Sequence, residues 1–265
     1  MKYTSNNFHL HYIPQYRLLI QSDFLEDTLL VLDESNEIQA LYSYPSNNPD
    51  TEAAKLLGLP FQDVTISLPL QSLVFVPTEV YNSRDIEHYQ DFMIDENKTR
   101  TQTFHIEQLG ITALYQYDLL LRNRWATLFP AARLLSDSQV MLSSLATDLP
   151  AQGTILGLHV KDKQVELFVF SAGTLQLYNI FDIETQDDLQ YFILHACNTL
   201  DIAARFDKVI LSGIDSTHNF AHVAGQYTDL AEFFTPKTTV HTADETVEAK
   251  ISSFNLLADY PTCVS

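Results

Sequence analysis

The chain has 265 residues, 46% of them apolar and 11% aromatic, enough for one large or two modest domains with a packed core. Its 15 Lys and Arg stand against 34 Asp and Glu, a formal charge of −19. Residues 1–150 hold 9 basic and 19 acidic side chains and residues 151–265 hold 6 and 15, so both halves share the excess. Such a field repels phosphate backbones and argues against a nucleic-acid partner. No run approaches the roughly 18 apolar residues needed to span a bilayer.

The polar start Met1–Asn7 lacks an apolar signal region, so a cytoplasmic protein is expected. Arg17–Gln21 and Thr28–Leu32 read as strands joined through Asp23–Asp27. After the Asp33–Asn36 turn, Glu37–Tyr44 is a third strand, broken by Pro45. A short helix follows, with Pro49 near its first turn and Gly58 at its stop. Val64–Leu68 and Ser72–Val76 are strands ended by prolines, and Thr78–Ile94 reads as helical. Thr101–Gln108 and Ile111–Tyr117 form a hairpin around Gly110. Asp118 caps a helix through Phe129, Arg133–Leu135 is a short strand, and Ser136 or Asp137 caps a helix to about Ala146. Thr147–Gly153 is the best boundary candidate, giving domains 1–150 and 151–265.

The second half opens with strands Thr154–Val160, Val165–Phe170 and Thr174–Phe181. Gly173 sits in the tight turn, where a positive φ costs glycine little. Thr185 with Asp188 makes a capping-box start. Leu189, Phe192, Ile193, Ala196, Cys197 and Leu200 then form one apolar helical stripe. Cys197 on that stripe reads as a buried small hydrophobe, and two cysteines, Cys197 and Cys263, are too few for a disulfide framework. Lys208–Ser212 is a strand covered on both faces. A helix around Asn219–Gln226 and a strand at Leu230–Phe234 follow. Thr242–Leu257 is either a helix returning to the first domain or a strand pairing with the second.

The two halves repeat. A gapless shift of 137 lays Leu18 on Ile155, Val31 on Phe168 and Ile38 on Leu175. The closing strands match at 144, Asp63 on Asp207. The helix region of the second unit is thus longer by about two turns. The expected fold class is α/β, with duplicated β-β-β-α-β units.

Two such units are the ground plan of the actin-like ATPase superfamily (actin, Hsp70 and the sugar kinases), a two-lobed, ribonuclease H-like fold, and the whole chain resembles a reduced version of it. The stretches Val64–Glu79 and Glu166–Phe181 resemble a bacterial family catalogued as domain of unknown function 3822. That resemblance implies an actin-like fold and no established activity.

The superfamily's activity implies an Asp followed by a Gly-rich turn and a hydroxyl in the first hairpin of each lobe. There, backbone N–H groups approach phosphate and the Asp holds a Mg²⁺ shell. Here the second unit offers His159-Val-Lys161-Asp162-Lys163 and the first offers Ser22-Asp23-Phe24-Leu25-Glu26-Asp27-Thr28, neither with a glycine. The adenosine-side glycine pair is reduced to Ser212-Gly213-Ile214, and the chain has only seven glycines. The reading is a non-hydrolysing member, a pseudo-ATPase without a cofactor, that acts on protein partners as an interaction or scaffold module. The alternative is an atypical ATPase or kinase binding ATP and Mg²⁺ through Asp23, Asp27, Thr28, His159 and Gly213. A third reading is a small-molecule sensor. His218 and His222, at i, i+4 beside Asp215, suit a metal, but no third ligand is placed. His9 and His11 alternate along an extended segment, a weaker pair. Tyr12, Tyr16, Tyr42, Tyr44 and Phe24 offer an aromatic patch.

Overall fold

A computed structural model describes residues 1–263 apart from Glu96 and Asp162. The Asp162 position of the second hairpin turn therefore lies outside the described residues. The chain divides into two compact units. One comprises Met1–Ser144 with Lys237–Ala243 and Leu257–Ser265, the other Leu145–Pro236 with Asp244–Leu256.

In the first unit the strands β1 (Lys2–Thr4), β2 (Arg17–Ser22), β3 (Glu26–Leu32) and β4 (Ile38–Pro45) precede helix α1 (Thr51–Leu57) and β5 (Asp63–Ser67). An insertion follows, with strands β6 (Leu70–Pro77), β7 (Gln102–Ile106) and β8 (Ile111–Tyr117). Helix α2 (Leu119–Leu128), β9 (Arg133–Leu135) and α3 (Asp137–Ala146) complete the run. The main sheet runs β1-β4-β3-β2-β5-β9 and the insertion is a three-stranded sheet β6-β8-β7. β2, β3 and β4 form an antiparallel meander, and β2, β5 and β9 are parallel.

The second unit repeats this. Strands β10 (Thr154–Lys161), β11 (Gln164–Ser171) and β12 (Thr174–Asp182) lead to α4 (Gln186–Leu200), β13 (Lys208–Ser212), α5 (Asn219–Gly225) and β14 (Ala231–Phe233). Its sheet runs β12-β11-β10-β13-β14, the order of β4-β3-β2-β5-β9. The turn before β12 has Ala172 and Gly173 both at positive φ, as a tight hairpin of matching twist requires. Leu156, Leu158, Val160, Val165, Leu167 and Val169 of β10 and β11 bury against Leu189, Ile193, Ala196 and Cys197 of α4. Burial pushes the Cys197 thiol above its ordinary range.

Strand register corrects the repeat by one residue in the first two strands of each unit, while the match of Ile38 on Leu175 in the third strand stands. Leu18 pairs with Val31 and Leu156 with Val169, 138 positions on, whereas Ile155 pairs with Phe170 and not with Phe168. The bulges agree, falling at Val31/Leu32 and Val169/Phe170. The closing strands correspond at 145, Val64 to Val209, and Ile38 to Leu175 at 137, so the helix region of the second unit is eight residues longer, not seven. A one-residue slip turns every side chain to the other face. Gln21 is therefore the counterpart of His159, and Ser67 of Ser212. These strands are apolar on both faces, so their sequence carries no phase.

Three other expectations change. Residues 83–92 are a 3-10 segment kinked at Asp85, not a continuous helix. Among the described residues there, Ile86 and Tyr89 pack against the small core of Val76, Met93 and Leu114, too little burial to sustain a long helix. His9 and His11 do not alternate along an extended segment, because Leu10–Gln15 is a 3-10 helix and both rings meet Tyr12. Residues 244–256 hold a four-residue helix α6 (Glu245–Glu248), capped by Asp244, and a 3-10 turn at Ile251–Ser253. Among the described residues no helix is long and apolar enough to cross a membrane.

Carboxylates cap several backbone ends. Thr185 and Asp188 form the reciprocal capping box of α4. The Glu184 and Thr185 N–H groups hold the Asp188 carboxyl below its ordinary range, and the Thr154 N–H and hydroxyl do the same for Asp207. A carboxyl depressed by folding contributes stability above its unfolded value, near pH 4, and loses it as pH falls through the folded value. The melting temperature is therefore expected to drop on acidification below about pH 4. Asp188→Asn and Asp207→Asn should each flatten that drop, which thermal scans across pH measure. A slope unchanged in both variants would refute the assignment.

Candidate functional site

The resemblance read from the sequence directs attention to the hairpin following the first strand of each unit. In the first unit the hairpin tip is held by Asp23, whose Oδ1 accepts from the N–H groups of Leu25 and Glu26, both at 2.7 Å. Its own N–H donates to the Glu26 carbonyl at 3.2 Å. An Asx-type turn of this kind is what an Asp at a loop start favours. Phe24 and Leu25 project into solvent, 53% and 58% exposed.

Asp27 and Thr28 point to opposite faces of β3, as alternation requires. Thr28 meets Ser43 through their hydroxyls at 3.0 Å. Asp27 is 2% exposed and lies beneath α2. Its Oδ1 accepts from Arg124 Nη2 at 2.7 Å and from the Ser22 hydroxyl at 2.6 Å. Ser22 Oγ also accepts from Arg124 Nη2 and Trp125 Nε1, both at 2.8 Å, which fills one donor and two acceptor positions. Arg124 reaches on to Ser46 Oγ at 2.7 Å and Asn47 Oδ1 at 2.8 Å, with its guanidinium 4.6 Å from the Trp125 ring centroid. Tyr44, paired with Asp27 across the ladder, is buried; burial first, then the Asp27 charge, push its phenol above the ordinary range.

The opposite face of the first unit carries a second buried carboxylate at the C-terminal ends of β2 and β5. Asp137, in the first turn of α3, accepts from Gln21 Nε2 at 2.8 Å and from the Ser67 hydroxyl and Tyr260 phenol, both at 2.6 Å. The helix N-terminus favours its negative charge. Nearby in sequence, Asp259 is fully buried and accepts from the N–H groups of Lys237 and Thr238 and from the Ser144 hydroxyl. These bonds hold the C-terminal segment in the first unit.

In the second unit, His159 and Ser212 occupy the counterpart positions. His159 is 2% exposed and pairs across the ladder with Glu166 and Ser212. Ser212 Oγ donates to Asn255 Oδ1 at 3.0 Å, and Asn255 Nδ2 donates to the Phe234 carbonyl at 2.6 Å. Gly213 has φ +80°, and a Cβ there would stand 1.9 Å from the Val160 carbonyl oxygen and 3.4 Å from His159 Cε1.

The structure thus brings His159 and Gly213 together, separates Asp27 from Thr28, and leaves Asp23 at the hairpin tip. Sequence reading missed Arg124, Trp125, Tyr260 and Asn255, and took Asp137 only as a cap. The one available signal was a lone acid inside the apolar run Leu256–Tyr260. The histidine pair at 218 and 222 is used otherwise: His218 Nδ1 accepts from Phe220 N–H to cap α5, and Asp215 binds Thr217. Among the described residues no group of three His, Cys, Asp or Glu could hold a metal ion. The tyrosines do not share one patch, since Tyr16 and Tyr44 are buried while Tyr12 and Phe24 are exposed.

The family described as "Protein of unknown function (DUF3822)" matches residues 5–229. No curated protein matches the chain. Among solved structures the chain is similar to a Bacteroides thetaiotaomicron protein with actin-like ATPase fold and unknown function. The identity is 16%, the match covers 94% of this chain and 98% of that one, and the TM-score is 0.67. It is also similar to a chain of the PilM-PilN type IV pilus biogenesis complex, at 11% identity, 94% and 98% coverage and a TM-score of 0.62. These likenesses establish an actin-like ATPase fold.

Proposed function

The chain belongs to the family described as "Protein of unknown function (DUF3822)", and from its actin-like fold we propose a non-hydrolysing protein that acts as an interaction or scaffold module in the cytoplasm. The observation that carries this reading is the first hairpin. In a phosphate loop, successive N–H groups converge on the anion; here the Leu25 and Glu26 N–H groups converge on the carboxylate of Asp23. Phosphate would have to displace that carboxylate against the charge of Glu26 beside it. Asp27 is likewise engaged by Arg124 and Ser22 beneath α2, where the buried carboxylate is neutralised by a partly buried guanidinium. A protein partner accords with the presence of a similar fold in the PilM-PilN complex.

Melting the purified chain with Mg-ATP tests this. The expected response is flat to millimolar nucleotide, since a ligand that binds the folded state at 100 times its Kd adds about 2.7 kcal/mol. A rise of several degrees that Asp23→Ala abolishes would show nucleotide binding at this hairpin and overturn the reading.

A further inference from the structure

The duplication exposes an asymmetry at the sheet edges. In the first unit the outer edge of β4 is closed. Lys2, Tyr3 and Thr4 of β1 pair antiparallel with Tyr42, Leu41 and Ala40. Ser43 N–H donates to the Met1 carbonyl and Ser5 N–H to the Gln39 carbonyl, both at 2.8 Å, while His241 closes the next stretch through Ile38 N–H and the Asn36 carbonyl. Lys2 Nζ then reaches Asp50 at 2.8 Å and Glu52 at 3.4 Å, the N-cap and first-turn acids of α1.

The counterpart edge is β12, the terminal strand of its sheet. The bulges and the pairs Leu32–Ile38 and Phe170–Leu175 place Ala40, Leu41, Tyr42 and Ser43 on Leu177, Tyr178, Asn179 and Ile180. The outward N–H of Ser43 thus corresponds to that of Ile180, which is bonded to the neighbouring Asn179 side chain at 2.8 Å. β12 is nine residues long and contains no Lys, Arg or Pro, the residues that ordinarily blunt an edge. Its only charge is the terminal Asp182. Where Asp50 and Glu52 receive Lys2, the second unit presents exposed Asp187 in the first turn of α4 and, just before it, exposed Glu184, which meets Lys163 Nζ at 3.4 Å in a solvent-exposed pair. Apolar surface continues from the edge: Phe181 stacks on Phe192 at 4.0 Å, Phe192 meets Tyr191, and Tyr191 is 61% exposed.

We propose that β12 is a strand-acceptor edge. It takes an extended segment of a partner protein, antiparallel, with a lysine or arginine opposite Asn179 that reaches Asp187 and Glu184. Main-chain pairing supplies affinity in such strand addition, and side chains supply selectivity. The acidic rim selects a basic strand over a second copy of this chain, whose own β12 brings no cation and whose formal charge is −19. The inference names the partner chemistry of the interaction role proposed above and rests on that role.

A fluorescein-labelled peptide copying residues 1–11, the strand that solves the same problem in the first unit, serves as the probe with the full chain. Saturable binding is expected, weakened about threefold to tenfold, as partly exposed ion pairs allow, by Glu184→Lys with Asp187→Lys. A peptide carrying Lys2→Glu should restore it. On binding, the Tyr178 and Ile180 amides of the unmodified protein should gain hydrogen-exchange protection. No saturable binding, indifference to the charge exchange, or protection confined to Leu41 and Ser43 would overturn the proposal. Sedimentation showing dimers that protect the same β12 amides would make a second copy the occupant and also overturn it. The Mg-ATP melt reads nucleotide binding, on which peptide binding at β12 does not depend, so the two readings can fail independently.

Discussion

Arg124→Ala is expected to destabilise the first unit by about 3–5 kcal/mol, the usual cost of leaving a buried charge without its partner. Asp27 is 2% exposed, and the guanidinium is the cation that faces it, through a 2.7 Å bond from a side chain itself only 21% exposed. Truncation also removes donors from Ser22, Ser46 and Asn47 and strips the cation from the Trp125 face. The damage should be specific to charge. Asp27→Asn in the Arg124→Ala background removes the stranded carboxylate and should recover part of the loss, giving a coupling energy above about 1 kcal/mol in a double-mutant cycle. Urea titrations of the four proteins measure it. Additive losses would mean that the two side chains act independently.

Gly213→Ala is the second large effect, at about 2–6 kcal/mol, because two costs fall on one residue. A left-handed backbone held by an L-residue costs about 1–3 kcal/mol, and forcing atoms into filled space costs about 1–3 more. The obstacle is the Val160 carbonyl, 1.9 Å from the would-be Cβ, so no rotamer change relieves it. Two other glycines separate the terms. At Gly110 φ is +63° with nothing within 4 Å, so alanine there should cost only the backbone term. At Gly225, the last residue of α5, nothing lies within 4 Å and φ is ordinary, so alanine should be neutral or stabilising by up to about 1 kcal/mol. If all three substitutions cost the same, the close approach of β13's end to β10 would not be what requires a glycine at 213. That approach is a packing reason for a glycine at 213.

Much of the second unit was legible before any coordinates. Thr185 and Asp188 lie three residues apart, and their reciprocal bonding is local, so the sequence contains the whole capping box. The apolar stripe from Leu189 to Cys197 fixes which side of α4 is buried, and Gly173 marks its turn. Asp118 is legible on the same grounds, since its carboxylate binds Leu120 and Leu121 only two and three residues on. Local hydrogen bonds and helical spacing depend on neighbours in the chain, and neighbours are what a sequence displays.

The first hairpin shows where that ends. Asp27 read as a candidate ligand because its partner stands 97 positions away on α2. Nothing in the residues around Arg124 points back to it. The one-residue slip in the repeat has a related cause. β10 and β11 bury both faces, so apolar content could not tell position 155 from 156, and only the ladder, pairing Ile155 with Phe170, set the phase.

The sequence by itself determined most of the elements, their duplication, the net charge of −19 and the lack of glycine in either phosphate-side turn. Tertiary structure decided what the remaining polar residues do, because a buried carboxylate takes its character from whichever donors the fold brings within 3 Å. It turned Asp27 onto Arg124, and Asp137 onto Gln21, Ser67 and Tyr260. It also closed one of two equivalent sheet edges and left the other as the end of its sheet. That difference depends on where the N-terminal strand lies in space.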